Sequence, residues 1–267
     1  MEVRRHHAVD DFRTVAEPIY RRDPVLCTVE LTLLGSDPWP YADPLLLTAW
    51  HDGAAVGAAL QTPPMPLLCT ALPEPALGPM ADAAARARPQ LPGVRGVRHI
   101  ALGFAARWRA VTGHSGRVRT EERLYRLGAL RPPRVAGAHR VGADTELLDA
   151  WFSAFQAEAL GEAPPGPRGS GTDLLWCVHG VPVSWARVRP PAAGVSRVGP
   201  VYTPPDRRGR GYGSAVTAAA ARWALDAGAA EVVLFTDLAN PVSNAIYQRI
   251  GFEPVADLVR IDFVAAP

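Results

Sequence analysis

The segment Arg208-Gly209-Arg210-Gly211-Tyr212-Gly213 carries the clearest chemistry in the chain. It follows a strand-like run at 195–202 and opens an alanine-rich helical run at 214–227, which Gly228 closes. A helix start offers unpaired N–H groups and the positive end of the helix dipole, both suited to an anion. Glycines there let the backbone approach a phosphate and take conformations that a Cβ forbids. A pyrophosphate is the natural ligand. Two nucleotide-binding patterns fit poorly. A P-loop needs Gly-Lys-Ser/Thr, and the chain holds no lysine. A Rossmann fingerprint needs GxGxxG, with an acid closing a strand about twenty residues on. The glycines here run GxGxG, and Glu231 begins its strand instead of ending it.

The same segment resembles the Arg/Gln-x-x-Gly-x-Gly/Ala motif of the GNAT superfamily of N-acetyltransferases, matched by Arg208, Gly211 and Gly213. Downstream, NPVSNAIYQRIGF resembles the superfamily's second hallmark: Asn240 opens the loop, Tyr247 follows on a helix, and Gly251-Phe252 ends it. The 32 residues from Arg208 to Asn240 fit the family's layout, and the resemblance runs from near Ala138 to the end. It implies an enzyme that moves an acetyl group from acetyl-CoA to an amine by direct attack in a ternary complex.

The resemblance also implies roles for individual residues. The strand edge at Val201 and Thr203 would pair with the pantetheine arm. Arg208 opens the loop, and Gly209, Arg210, Gly211, Tyr212, Gly213 and Ser214 would cradle the pyrophosphate through backbone N–H groups. Asn240 would bond the pantetheine, with Ser243 and Asn244 lining the cofactor. Tyr247 would protonate the departing thiolate, and an N–H near Val201 would polarise the thioester carbonyl. Plainer readings stand beside these: Gly213 as helix–strand packing, Asn240 as a helix cap, Tyr247 as a half-buried aromatic. The base is the thin point. Many relatives carry a Glu on the strand before the glycines, but SRVGPVYT holds no acid. Asp237 and Glu158 are the candidates, or a water relay. A non-catalytic CoA-binding sensor or scaffold is the alternative function.

The elements that must position these groups can be read from the pattern. Asp144 can cap a helix whose apolar face is Leu147, Leu148, Trp151, Phe152 and Phe155. A hairpin follows in LLWCVHGVPVSWARVRPP, turning at His179-Gly180 and stopped by Pro190-Pro191. Then come the strand before the glycines, the alanine-rich helix, the strand EVVLFTDLA, a short helix in NPVSNAIYQRI, and closing strands in FEPVADLVRIDF. This alternation predicts an α/β fold, a mixed central sheet flanked by helices, GNAT-like.

The first half echoes the second. LLLTAWHDGAAVGAALQTPP reads as the same hairpin, its Asp52-Gly53 turn lying 127 residues before His179-Gly180. FAARWRAVTG and RLYRL repeat the closing helix and strand. Two tandem units are the economical reading, with the boundary at Arg131-Pro132-Pro133-Arg134. Residues 1–134 would be a degenerate copy and 135–267 the acetyltransferase domain. The first copy lacks RxxGxG, and its nearest aromatic to the Tyr247 position is Trp108. It would serve as a platform, a cover for the substrate cleft, or a homodimer interface. A Pro/Gly-rich breaker at 161–171 reads as a mobile loop near substrate entry.

Composition excludes several classes. No run of eighteen apolar residues suggests a membrane span, and MEVRRHHAVDDF lacks the apolar core of a secretory signal, so the chain reads as soluble and cytoplasmic. Cys27, Cys69 and Cys177 lie far apart and read as small buried hydrophobes, with no metal site. All 28 basic residues are arginine, and 13 of them fall at 86–140, against only Glu121 and Glu122. That stretch is either a basic surface for an acidic ligand or a solvated face. Nucleic acid is not expected, because no stripe of aromatic and basic residues accompanies it. The resemblance implies a small-molecule or peptide amine as acceptor.

Overall fold

The computed structural model describes residues 1–142, 144–160 and 169–264. Among them, no helix is long and apolar enough to cross a membrane. The breaker at 161–171 falls largely on 161–168, outside the described residues.

The chain forms two compact units, and its elements follow one another in two successive runs. The first is built from β1 (Glu2–His6), α1 (Val9–Tyr20), α2 (Thr28–Leu34), β2 (Leu45–His51), β3 (Ala54–Gln61) and β4 (Leu67–Ala71). A short 3-10 turn, Glu74–Ala76, then leads to α3 (Leu77–Ala87), β5 (Gly93–Val97), α4 (Arg98–Thr112) and β6 (Ser115–Leu127). The second repeats the order: β7 (Ala138–Val141), α5 (Thr145–Leu160), β8 (Thr172–Val178), β9 (Val181–Val188) and β10 (Val195–Tyr202). Its 3-10 turn, Pro205–Arg207, precedes α6 (Tyr212–Asp226), β11 (Glu231–Asp237), α7 (Pro241–Arg249) and β12 (Phe252–Val264). Apart from α2, every element has its counterpart.

The hairpins make the repetition concrete. Asp52 and Gly53 have φ of 49° and 78°, and His179 and Gly180 have 49° and 81°. Two left-handed residues in succession give the turn whose twist suits a two-residue hairpin. Both ladders slip at the same place. Ala49 pairs Gly57 and Trp50 pairs Ala55, while Trp176 pairs Ser184 and Cys177 pairs Pro182. The residue bulged out is Val56 in one and Val183 in the other. A shared bulge at a constant offset of 127 is stronger evidence of duplication than the turn residues alone.

Each unit is a mixed sheet flanked by helices. In the first, the strands run β1-β2-β3-β4-β5, then the later part of β12 and the start of β6. In the second they run β7-β8-β9-β10-β11, then the end of β6 and the start of β12. The units therefore do not divide at the 131–134 linker. The first comprises 1–124, 237–239 and 255 onward, and the second comprises 125–236 and 240–254. Prolines mark where a strand ends, but sheet neighbours decide where it belongs. Antiparallel pairing from Leu258↔Val97 to Asp262↔Gly93 ties the closing strand to the first unit. The closing segment is also one strand of 13 residues instead of several.

In the first unit, α3 and α4 cover one sheet face, where fully buried Trp108 stacks 5.0 Å from Phe263. In the second, Val216, Ala220, Ala221 and Ala224 of α6 pack on Leu174, Val188 and Leu234. On the opposite face, Leu148, Trp151, Phe152 and Phe155 of α5 meet Leu175, Trp185 and Tyr202. Asp144 caps α5 through Oδ1, which accepts the Leu147 N–H at 3.1 Å. The three cysteines are buried and unbridged. The basic stretch is partly neutralised: Arg88 pairs with Asp43, Arg95 with Glu122, Arg98 with Glu121 and Arg123 with Asp257.

Candidate functional site

β10 is held on both sides only at its start. Its parallel register with β11 covers Val195–Arg197 against Glu231–Val233 and ends there. Its antiparallel register with β9 slips between Val198 and Val201, across Gly199 and Pro200. From Val198 onward the edge towards β11 therefore leaves the ladder, with Val201 half-buried on it. Backbone polar groups on such an edge need a partner, and an extended chain can supply it.

The strand end is pinned from beneath. The fully buried Ser184 hydroxyl donates to Tyr202 O at 3.0 Å and shares a 2.8 Å hydrogen bond with Thr203 Oγ1. Arg208 then bends back, its Nε donating to Thr203 O at 2.9 Å and its Nη2 to Glu158 Oε2 at 2.6 Å. Its guanidinium also lies 5.9 Å from the Tyr202 ring centre. Burial first, and then the Glu158 carboxylate, raise the Tyr202 phenol above its ordinary range.

Beyond Arg208 the backbone turns left-handed at Gly209 (φ 77°) and again at Gly211 (φ 79°), which is the N-cap of α6. No side chain caps this 15-residue helix. The first-turn N–H groups thus keep their donor capacity, and the dipole adds positive potential. A Cβ on Gly211 would sit 3.0 Å from Val135 Cγ2 in a conformation that L-residues avoid. Gly213 faces Thr203, whose Oγ1 would lie 3.3 Å from an added Cβ. Arg210, Tyr212 and Ser214 complete the loop and first turn, with Arg210 exposed.

α7 forms the other group. Asn240 caps it, its Oδ1 accepting the Ser243 N–H at 3.0 Å, while Asn244 Nδ2 donates to Asn240 O at 2.8 Å. Tyr247 is buried, its ring edge-on to Tyr125 at 6.4 Å and to Phe252 at 6.3 Å. Burial pushes its phenol up to about 12, against a smaller lowering by the hydrogen bond with Ser243.

Residues 143–252 match the Acetyltransferase (GNAT) family. Three mycothiol acetyltransferases align over a shorter stretch. The one from an Arthrobacter species is 37% identical over 71 residues, which is 26% of this chain and 22% of that protein. The one from Kocuria rhizophila is 35% identical over 72 residues, 26% of this chain and 24% of that protein. This chain thus spans about a quarter of the length of the curated relatives it matches. Among solved structures, a GCN5-related N-acetyltransferase from Kribbella flavida superposes with a TM-score of 0.60 at 22% identity, covering 93% of this chain and 96% of its own. A tandem GNAT protein from the clavulanic acid biosynthesis pathway gives 0.60 at 14% identity over 100% of this chain and 99% of its own. These structures share the fold.

The GNAT-like elements bring the expected residues into two groups. Thr203, Arg208 and Glu158 meet around Tyr202, whereas Asn240, Ser243, Asn244 and Tyr247 share α7. Of the two carboxylates expected as bases, Glu158 is engaged by Arg208. Asp237 is exposed at the end of β11 and its Oδ1 accepts the Ala239 N–H at 2.7 Å. Sequence reasoning missed Ser184, Tyr202, Tyr125 and Gln248. Ser184 left a faint signal, a hydroxyl inside an otherwise apolar strand run. Tyr202 read only as the end of a strand, and Tyr125 and Gln248 meet partners more than a hundred residues away and left none.

The first unit's counterpart of this helix start is closely packed. α3 packs closely on α4, and a Cβ on Gly103 would sit 2.7 Å from Leu77 Cδ1. Gly96 of β5 lies so close to Cys69 that a Cβ would stand 2.6 Å from Sγ. Among the described residues, α6 and α7 share no comparable packing.

Proposed function

We propose that this chain binds acetyl-CoA in its second unit and transfers the acetyl group to an amine acceptor by direct attack in a ternary complex. The observation that carries this is the uncapped, doubly left-handed start of α6 standing next to a strand edge that has left its ladder. An anion and an extended polar arm have matching places there. Acetyl-CoA supplies the activated acetyl group. The N–H groups of Gly209 through Ser214 hold the pyrophosphate, and the β10 edge at Val201 and Thr203 pairs with the pantetheine. Asn240 adds its NH2 donor, flanked by Ser243 and Asn244. An N–H near Val201 polarises the thioester carbonyl.

Tyr247 keeps its proton throughout the neutral range and offers it to the departing sulfur. With Glu158 engaged by Arg208, a water relay carries the acceptor's proton away. The names of the curated relatives direct an acceptor screen first to compounds of the mycothiol type, then to polyamines and peptides. A melt with acetyl-CoA, CoA, NAD and ATP in parallel tests the reading. A ligand at a hundredfold over its dissociation constant adds about 2.7 kcal/mol, so acetyl-CoA and CoA should each raise the midpoint by several degrees. A shift with NAD and none with CoA would discard it.

A second reading draws on the commitment of Glu158: a CoA-binding unit without transfer. Acetyl transfer to any amine in the screen would remove it.

A further inference from the structure

We infer that Tyr125, on β6 and outside the family-matching residues, is the positioning residue that fixes α7 for cofactor binding. This rests on the cofactor site proposed above. Tyr125 is fully buried, yet its hydroxyl is used twice: it donates to Asn244 Oδ1 at 2.9 Å and accepts from Gln248 Nε2 at 3.0 Å. Asn244 in turn donates through Nδ2 to Asn240 O at 2.8 Å. Residues 240, 244 and 248 are spaced by four and so form one stripe along the helix. The single hydroxyl joins two members of that stripe and reaches the third through Asn244.

The Tyr125 ring, edge-on to Tyr247 at 6.4 Å, also packs against the proposed donor. α7 has nine residues, short enough that it depends on tertiary contacts for its order. A buried phenol with both hydrogen-bonding functions satisfied sets the helix's rotation and depth together, and those two quantities place Asn240 and Tyr247. The strand carrying Tyr125 precedes the 131–134 linker, so a site that looks confined to the second half is completed by a residue laid down in the first.

Tyr125→Phe in the full chain keeps the ring and removes only the hydroxyl. Amide hydrogen exchange over 241–249, CoA affinity by calorimetry and the melting temperature are the readouts. Exchange across α7 should quicken by about tenfold and CoA should bind about tenfold more weakly, the equivalent of one shared hydrogen bond. The melting temperature should fall by only a few degrees. Gln248→Ala, at an exposed position, should shift both readouts less in the same direction and add little to Tyr125→Phe. Unchanged exchange and affinity in Tyr125→Phe would overturn the positioning role. So would exchange that rises equally in α6 and β11, which marks general loosening. Absence of CoA binding by the wild type would remove the cofactor reading, and exchange over α7 would still decide whether Tyr125 pins the helix.

Discussion

Arg208 Nη2 donates to Glu158 Oε2 at 2.6 Å, joining the start of the glycine loop to the helix on the other side of the strand end. Both side chains are about half exposed, at 48% and 46%. An exposed pair of this type contributes at most about 1 kcal/mol. Glu158→Gln should therefore leave stability nearly unchanged and raise the KM for acetyl-CoA up to about fivefold, with kcat held within twofold or so. Steady-state kinetics against both substrates separate this from a base. Loss of about a hundredfold in kcat would return Glu158 to the acid–base role.

Gly211 stands at φ 79° with Val135 in van der Waals reach of any Cβ. Gly211→Ala should cost about 1–2 kcal/mol in stability and weaken CoA binding, because the loop's N–H groups turn with that residue. Gly213→Ala meets only Thr203 Oγ1 at 3.3 Å and sits in ordinary helical backbone, so it should do much less. Calorimetry of CoA binding to the two variants decides. Equal losses would mean that the loop's left-handed geometry does not matter for the cradle.

The hairpin turns, the capping Asp144, the strand at 195–202 and the glycine-rich helix start could all be read from the chain, because each is a local matter of turn chemistry and periodicity. What could not be read is pairing at long range. The attachment of residues 258–262 to β5 depends on a register that no local pattern encodes. The Tyr125 hydroxyl meets Asn244 from 119 positions away. Glu158 stood out as a candidate carboxylate, but its engagement by Arg208 appears only once α5 and the loop are folded. The motif located the glycine-rich helix start; the groups that hold it came from elsewhere in the chain.

Tyr247 has its phenol pushed up to about 12 by burial. A folded-state value above the ordinary 10 means that the unfolded chain loses this proton first. The stabilisation is complete below about pH 10 and drains away between about 10 and 12. Tyr247→Phe should remove that part of the alkaline decline in melting temperature. In turnover, the wild type should show no loss from Tyr247 ionisation below about pH 10, since the donor remains protonated. Tyr247→Phe should lower kcat about tenfold or more while sparing CoA affinity. Unchanged kcat would end the proposed role at the leaving sulfur.

Only the second unit should take the cofactor. In the first, Leu77 occupies the space against Gly103, Cys69 presses on Gly96, and α3 begins without left-handed glycines ahead of it. Binding CoA there would mean prising apart two packed helices and exposing buried Leu77, Phe104 and Trp108. Exposing large apolar side chains costs about 1.5–3 kcal/mol each, more than a pyrophosphate without a cradle would return. Calorimetry should accordingly give one CoA per chain, and Gly211→Ala should weaken that single event. Two equivalents, the second untouched by Gly211→Ala, would mean that the first unit opens and that its closed α3–α4 packing is one state of two.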